Sequence, residues 1–106
     1  MPTPSISKVY RLNSMQAKII QYSNGSKICV SYASPVAAYV NGESGFGSIV
    51  LSDMWNVSPT TQRHVVSFLV KVGGVKLTSK EIRSCISSGK FLVVTQNDIY
   101  RIVEPH

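Results

Sequence analysis

Asn24-Gly25, set between two alternating segments, most narrows what this chain can fold into. Ala17 to Tyr22 and Ser26 to Tyr32 flank it, and Asn-Gly between such runs is the strongest short-range hairpin signal. A two-residue type I′ turn needs positive φ at both central positions, which Asn and Gly tolerate. That turn predicts Ser23 opposite Ser26, Gln21 opposite Ile28, Ile19 opposite Val30 and Ala17 opposite Tyr32. This face is mainly apolar and is expected to turn inward. Tyr22 with Lys27, Ile20 with Cys29 and Lys18 with Ser31 make the wetter face.

The remaining elements follow in order. Met1 to Ser7, with two prolines, reads as a flexible arm. Lys8 to Leu12 is a short strand. Pro35 lacks a donor and holds Ser34 extended, marking a sheet edge or a bend, after which Val36 to Val40 is extended again. Asn41 to Gly47 is a glycine-rich connector without the lysine and hydroxyl of a phosphate loop. Ile49 to Leu51 is a strand, and Trp55 is a core plug. Ser58-Pro59-Thr60-Thr61 opens a helix, beginning at Ser58 or Thr60, with Val65, Leu69 and Val72 as its apolar stripe and Gly73-Gly74 as its end. Thr78-Ser79-Lys80-Glu81 is a capping box for a second helix, which turns Ile82, Cys85 and Ile86 inward and closes at Gly89. Phe91 to Thr95 and Ile99 to Val103 are expected to form a second hairpin around Asn97-Asp98, and Glu104 to His106 trails off. The expectation is an α+β fold: an antiparallel sheet built from hairpins, with two helices packed on one face. Residues 1–106 make one domain.

Chemistry is sparsely supplied. Of the acids Glu43, Asp53, Glu81, Asp98 and Glu104, Glu43 falls in a loop, Glu81 in a cap, Asp98 in a turn and Glu104 in the tail, and no two pair at a useful spacing. His64 and His106 have no cysteine or second histidine at ligand spacing, so neither metal nor cofactor is expected. Cys29 and Cys85 fit core positions and reduced thiols, although a nucleophilic pair of either with His64 would be made in space, beyond the reach of spacing. Met1 to Ser5 has neither a basic start nor an apolar run, and Ile28 to Gly42 is too short to span a bilayer. A cytoplasmic, non-enzymatic protein is expected.

Eleven Lys and Arg against five Asp and Glu give a net charge of +6, which favours polyanions through counterion release. Two places could use it. Tyr22 between Lys18 and Lys27 on the wetter hairpin face could stack a base while the lysines hold phosphates, or could pack beneath the lysine stems. Thr60, Thr61, Arg63 and His64 lie at a helix start, where free amides favour an anion, or where the hydroxyls cap and the cations face water.

Ser31-Tyr32, Pro35-Val36-Ala37-Ala38, Thr60-Thr61, His64 and Phe68-Leu69 together resemble a pattern in small uncharacterised phage-encoded proteins. These have an Asn-Gly-type hairpin, an S-Y-x-x-P-V-A-A strand and a T-T-x-x-H helix start. The resemblance spans Ile19 to Leu69, departs at Gly42 to Gly47 and at Ser58-Pro59, and has no counterpart from Val75 onward. It implies a setting, the cytoplasm of an infected bacterium, and no mechanism. Two functions are therefore expected in rank order. The first is nucleic-acid binding through backbone charge. The second is an accessory role, binding and inhibiting or redirecting a host or defence protein, with Pro35 to Val40 as an exposed edge strand that could also make a homodimer.

Overall fold

The fold is given by a computed structural model that describes residues 5–12, 16–41, 47–74 and 76–103. Alternating segments in the first half become β1 (Ile6–Arg11), β2 (Ala17–Tyr22), β3 (Lys27–Ser31), β4 (Ser34–Asn41) and β5 (Gly47–Ser52). They lie side by side in chain order, each antiparallel to the one before. The helices α1 (Pro59–Gly73) and α2 (Ser79–Ser87) then lead to β6 (Phe91–Val94), which joins β5 in parallel. A parallel neighbour requires a crossover of a dozen residues or more, and the two helices provide it. The helix α3 (Gln96–Val103) follows. The molecule is thus α+β, with a six-stranded, mostly antiparallel sheet. β1 begins at Ile6, inside the stretch expected to be a loose arm, and residues 1–4 lie outside the described residues.

The central hairpin forms, but its register differs from the expected one by a single residue. Ile19 faces Cys29, Lys18 faces Val30 and Ala17 faces Ser31. The loop is Ser23-Asn24-Gly25: the Tyr22 amide donates to the Ser26 carbonyl at 2.8 Å, and the Gly25 amide donates to the Tyr22 carbonyl at 3.0 Å. Gly25 alone carries the positive φ, +90°, as in a three-residue hairpin loop with a left-handed glycine at its end. A slip of one changes which side chains share a face. Ile28 and Val30 therefore join Tyr22 on one side, while Cys29 joins Ile19 on the other.

The sheet's centre is buried on both sides. Ile19, Cys29, Ala37 and Leu51 pack with Val65, Phe68 and Leu69 of α1, Ile82 of α2 and Trp55. Tyr22, Ile28, Val30, Ala38 and Val50 pack with Ile99 and Val103 of α3. β4 is an inner strand with partners on both sides, which removes Pro35 to Val40 as an open edge. Cys29 faces Ala37 and Val30 faces Pro35, so Val36 is an extra residue. The bulge accommodates a proline inside a sheet and turns Val36 to the same core as Ala37.

Both helix starts match their caps. Ser58 accepts from the Thr61 amide at 3.1 Å and Pro59 occupies the first turn, which fixes the start of α1. Thr78 and Glu81 exchange reciprocal bonds of 3.2 and 3.1 Å. The expected second hairpin is not formed. Asn97 and Asp98 sit in the first turn of α3, where Thr95 donates its hydroxyl to Asp98 at 3.0 Å. Thr95-Gln96-Asn97-Asp98 has the hydroxyl-to-acid spacing of a helix start, and it outweighs the β-propensity of Ile99 to Val103.

Candidate functional site around Tyr32

β3 ends at Ser31 and β4 begins at Ser34, its cross-strand partner, so the connection is the two residues Tyr32 and Ala33. Tyr32 has φ +57°, and among the described residues it is the one non-glycine with a positive value. Short hairpins usually place glycine there, because a residue with a Cβ loses about 1–2 kcal/mol in that conformation. Burial of the ring does not compensate, since Tyr32 is 62% exposed. Three contacts hold the turn. The Tyr32 amide donates to the Gln16 carbonyl at 2.9 Å. Ser31 Oγ and His64 Nδ1 share a buried hydrogen bond of 2.7 Å. The tyrosine ring leans against the His64 ring, with centroids 5.8 Å apart.

His64 is 2% exposed. Burial, and secondarily the charge of Arg63, lower its pKa, which keeps the imidazole neutral at pH 7. It supports Tyr32 from below and offers no cation to an anion. Thr61 is also buried and its hydroxyl bonds Ser58 at 3.0 Å. Thr60 is half-buried and Arg63 is exposed. The expected anion site at the start of α1 is therefore divided, with two of its residues turned inward and Arg63 outward.

Tyr22, expected to stack a base, is 1% exposed within the α3-side core. Its two expected companions are also separated. Lys27 faces Gln21 and lies 5.6 Å from the Tyr39 ring, whereas Lys18 faces Val30 near the other end of β2. Of the expected surface residues, Lys18 reaches Tyr32's surroundings from the sheet, and Thr61 and His64 reach them from α1.

On one side of Tyr32 is a cleft of about 300 Å³, lined by Tyr10, Arg11, Gln16 and Lys18 among others. Arg11 and Lys18 are directly paired across β1 and β2, both exposed. Like charges in that position repel, and no carboxylate is among the cleft's lining residues. Lys8 and Lys71 lie 5.2 and 5.6 Å from the Tyr10 ring, each within cation–π range. Tyr10 packs on the α1 side of the sheet, whereas Arg11 and Lys18, one position off in the alternation, stand on the α3 side, so the cations that line the cleft are Arg11 and Lys18. On Tyr32's other side, a cleft of about 220 Å³ is lined by Ser31, Ser34, Thr61 and Gln96 among others.

Sequence reasoning missed Tyr10, Arg11 and Tyr32 as a group. The usable signal was Ser31-Tyr32-Ala33-Ser34 ahead of Pro35, a stretch of small residues with one tyrosine. A hairpin register one residue shorter ends the strand at Ser31 and puts that tyrosine in the turn.

Other chemistry is thin among the described residues. Burial pushes the Cys29 thiol up to about 12, so it stays protonated and inert at neutral pH. No three His, Cys, Asp or Glu side chains among the described residues group to hold a metal ion. No helix among them is long and apolar enough to cross a membrane. The glycine-rich segment 42–46 and the tail 104–106 lie outside the described residues.

The model of a family of unknown function (DUF8033) matches residues 4–84. The chain belongs to that family. The match takes in β1 to β5, α1 and the first part of α2, and with them Tyr32, Arg11 and Lys18; β6 and α3 lie beyond it. No curated protein and no solved structure matches the chain.

Proposed function

We propose that this is a small basic protein that binds nucleic acid through the phosphate backbone and performs no catalysis. Its setting is the cytoplasm of a phage-infected bacterium, as the resemblance of its strand and helix-start motifs implies. The observation that carries the reading is the direct pairing of Arg11 with Lys18 beside the exposed Tyr32, with no carboxylate lining the cleft. Two opposed cations cost stability in the free protein, and an anion between them converts repulsion into binding. Phosphates supply such anions at regular spacing, and counterion release makes their capture favourable at low salt.

The test is a fluorescence-anisotropy titration of generic oligonucleotides at several salt concentrations. Affinity is expected to fall steeply, with a log–log slope of about −0.7 to −0.9 per neutralised phosphate. Replacing Arg11 and Lys18 together with alanine should flatten the slope by about two contacts, for every sequence alike. No binding at low salt would overturn the reading.

The second reading, a protein that captures a host or defence protein, rests on β1. It is an edge strand, and Ile6 and Val9 are exposed on it. An open, apolar edge can accept a strand from another chain. A salt-independent complex with one bacterial protein, lost when Val9 is replaced by proline, would put this reading first.

A further inference from the structure

Tyr32 combines two features that architecture alone does not account for. Its backbone is in a conformation that glycine would occupy without strain, and its ring is 62% exposed. A residue retained against local strain points to a use for its side chain. The ring is tilted at 53° to His64, whose bond to Ser31 secures the support beneath it. Tyr10, the other tyrosine of the cleft, already has two lysines at its ring. Tyr32 is thus the exposed aromatic of this corner, and it stands at the end of the cleft that Arg11 and Lys18 line.

We propose that Tyr32 stacks on an unpaired base, so that the ligand is single-stranded nucleic acid whose adjoining phosphates sit on Arg11 and Lys18. This rests on the backbone-binding reading above and narrows it. Aromatic rings beside backbone-tracking cations are how single strands are held without sequence preference, because every base has a π-face. A duplex keeps its bases stacked on each other. It also asks for a helix or a two-stranded ribbon in its groove, and a lone ring on a two-residue turn is neither. A cleft of about 300 Å³ has the capacity of a small-ligand site, which suits one base and its phosphate.

The experiment compares three fluorescein-labelled probes of equal phosphate count in DNA and RNA form: a single strand, the same strand made abasic at its central positions, and a duplex. Each is titrated against the parent protein and the Tyr32→Gly, Tyr32→Leu and Tyr32→Phe variants. Melting is followed in parallel. Tyr32→Gly and Tyr32→Leu should weaken single-strand binding about ten- to hundredfold, and Tyr32→Phe should retain it. None of the three should change binding of the abasic probe. Tyr32→Gly should melt no lower than the parent, which separates lost binding from lost folding. Tyr32→Leu still covers His64, so its failure to bind assigns the loss to stacking rather than to exposure of the imidazole. In a Tyr32→Trp variant, the new indole should be quenched by the single strand and not by the abasic probe. Equal affinity for all three probes, unaffected by Tyr32→Gly but reduced by the Arg11/Lys18 double variant, overturns stacking while leaving backbone binding intact. Absence of any binding by the parent at low salt overturns both.

Discussion

The two turns at either end of β3 are built from opposite choices. At Ser23-Asn24-Gly25 the positive φ falls on glycine, and the loop is knitted into the fold. Asn24 accepts from the Ser26 amide at 3.0 Å, and Asn41 reaches back from the end of β4 to the Asn24 carbonyl at 2.6 Å. At Tyr32-Ala33 the same backbone requirement falls on a bulky residue whose ring projects into solvent. Both turns reverse the chain, so both satisfy the architecture. The first does so with the residue that minimises strain, and the second with one that adds it. Where glycine holds the strained position the turn can be explained by folding alone, and where tyrosine holds it an interaction outside the fold has to be sought.

Five measurements bear on that contrast, beginning with the largest expected effect. Gly25→Val should lower stability by about 2 kcal/mol or more, because a β-branched residue resists φ +90° and its Cβ would meet Asn41 Nδ2 at 3.2 Å. A melting midpoint within a degree of the parent would show that the first turn is not the constraint described. Ser31→Ala removes the partner of a buried imidazole nitrogen and should cost about 1–2 kcal/mol; an unchanged midpoint would mean that His64 does not support the second turn. Thr78→Ala, remote from both turns, should cost about 1 kcal/mol through its lost cap and leave oligonucleotide affinity unaltered. Tyr32→Gly should gain about 0.5–1 kcal/mol, the relief of left-handed strain less the added freedom of the unfolded chain. A loss in denaturant titration would dissolve the contrast between the turns.

The smallest effect is one of pH. His64 has a lowered pKa when folded, so between that value and its ordinary 6.5 the unfolded chain binds the extra proton. Its contribution to stability is therefore complete above about 6.5 and is lost as pH falls through the folded value. Midpoints measured from pH 7.5 down to 5 should decline in the parent and decline less in His64→Gln. Parallel curves would show that another group governs the acid response.

Much of this fold is legible in the sequence, and the exceptions have physical causes. Caps are local, so Thr78 to Glu81 declared the start of α2, while Ser58 to Thr61 declared a helix and left its first residue open between Ser58 and Thr60. Asn-Gly declared a hairpin, but the dipeptide serves loops of two and of three residues, and only the pairing of the whole strand distinguishes them. The wrong choice put Tyr22 in water and Tyr32 in the core, the reverse of where they stand. At the other end of the chain, Ile99 to Val103 is rich in β-formers, yet a helix forms there, with the Thr95 hydroxyl bonded to Asp98 at its start. The candidate site was least visible, since Arg11, Lys18 and Tyr32 meet only once the register of two strand pairs is known.

The two-sided sheet has a consequence for how the chain is made. Ile28, Val30, Ala38 and Val50 belong to a core that Ile99 and Val103 complete, and Val50 and Ile99 are 49 positions apart. At roughly 5–20 residues per second of synthesis, that apolar surface stays bare for about 3–10 s after its strands have left the ribosome. Strand pairing among neighbours is local and fast, so β1 to β4 can assemble in that interval with the face that α3 will cover still open to water. A nascent chain in this state has the open apolar face that holdase chaperones and other unfinished chains both seek. The interval before α3 emerges is when copies of this protein are most prone to misassemble with one another.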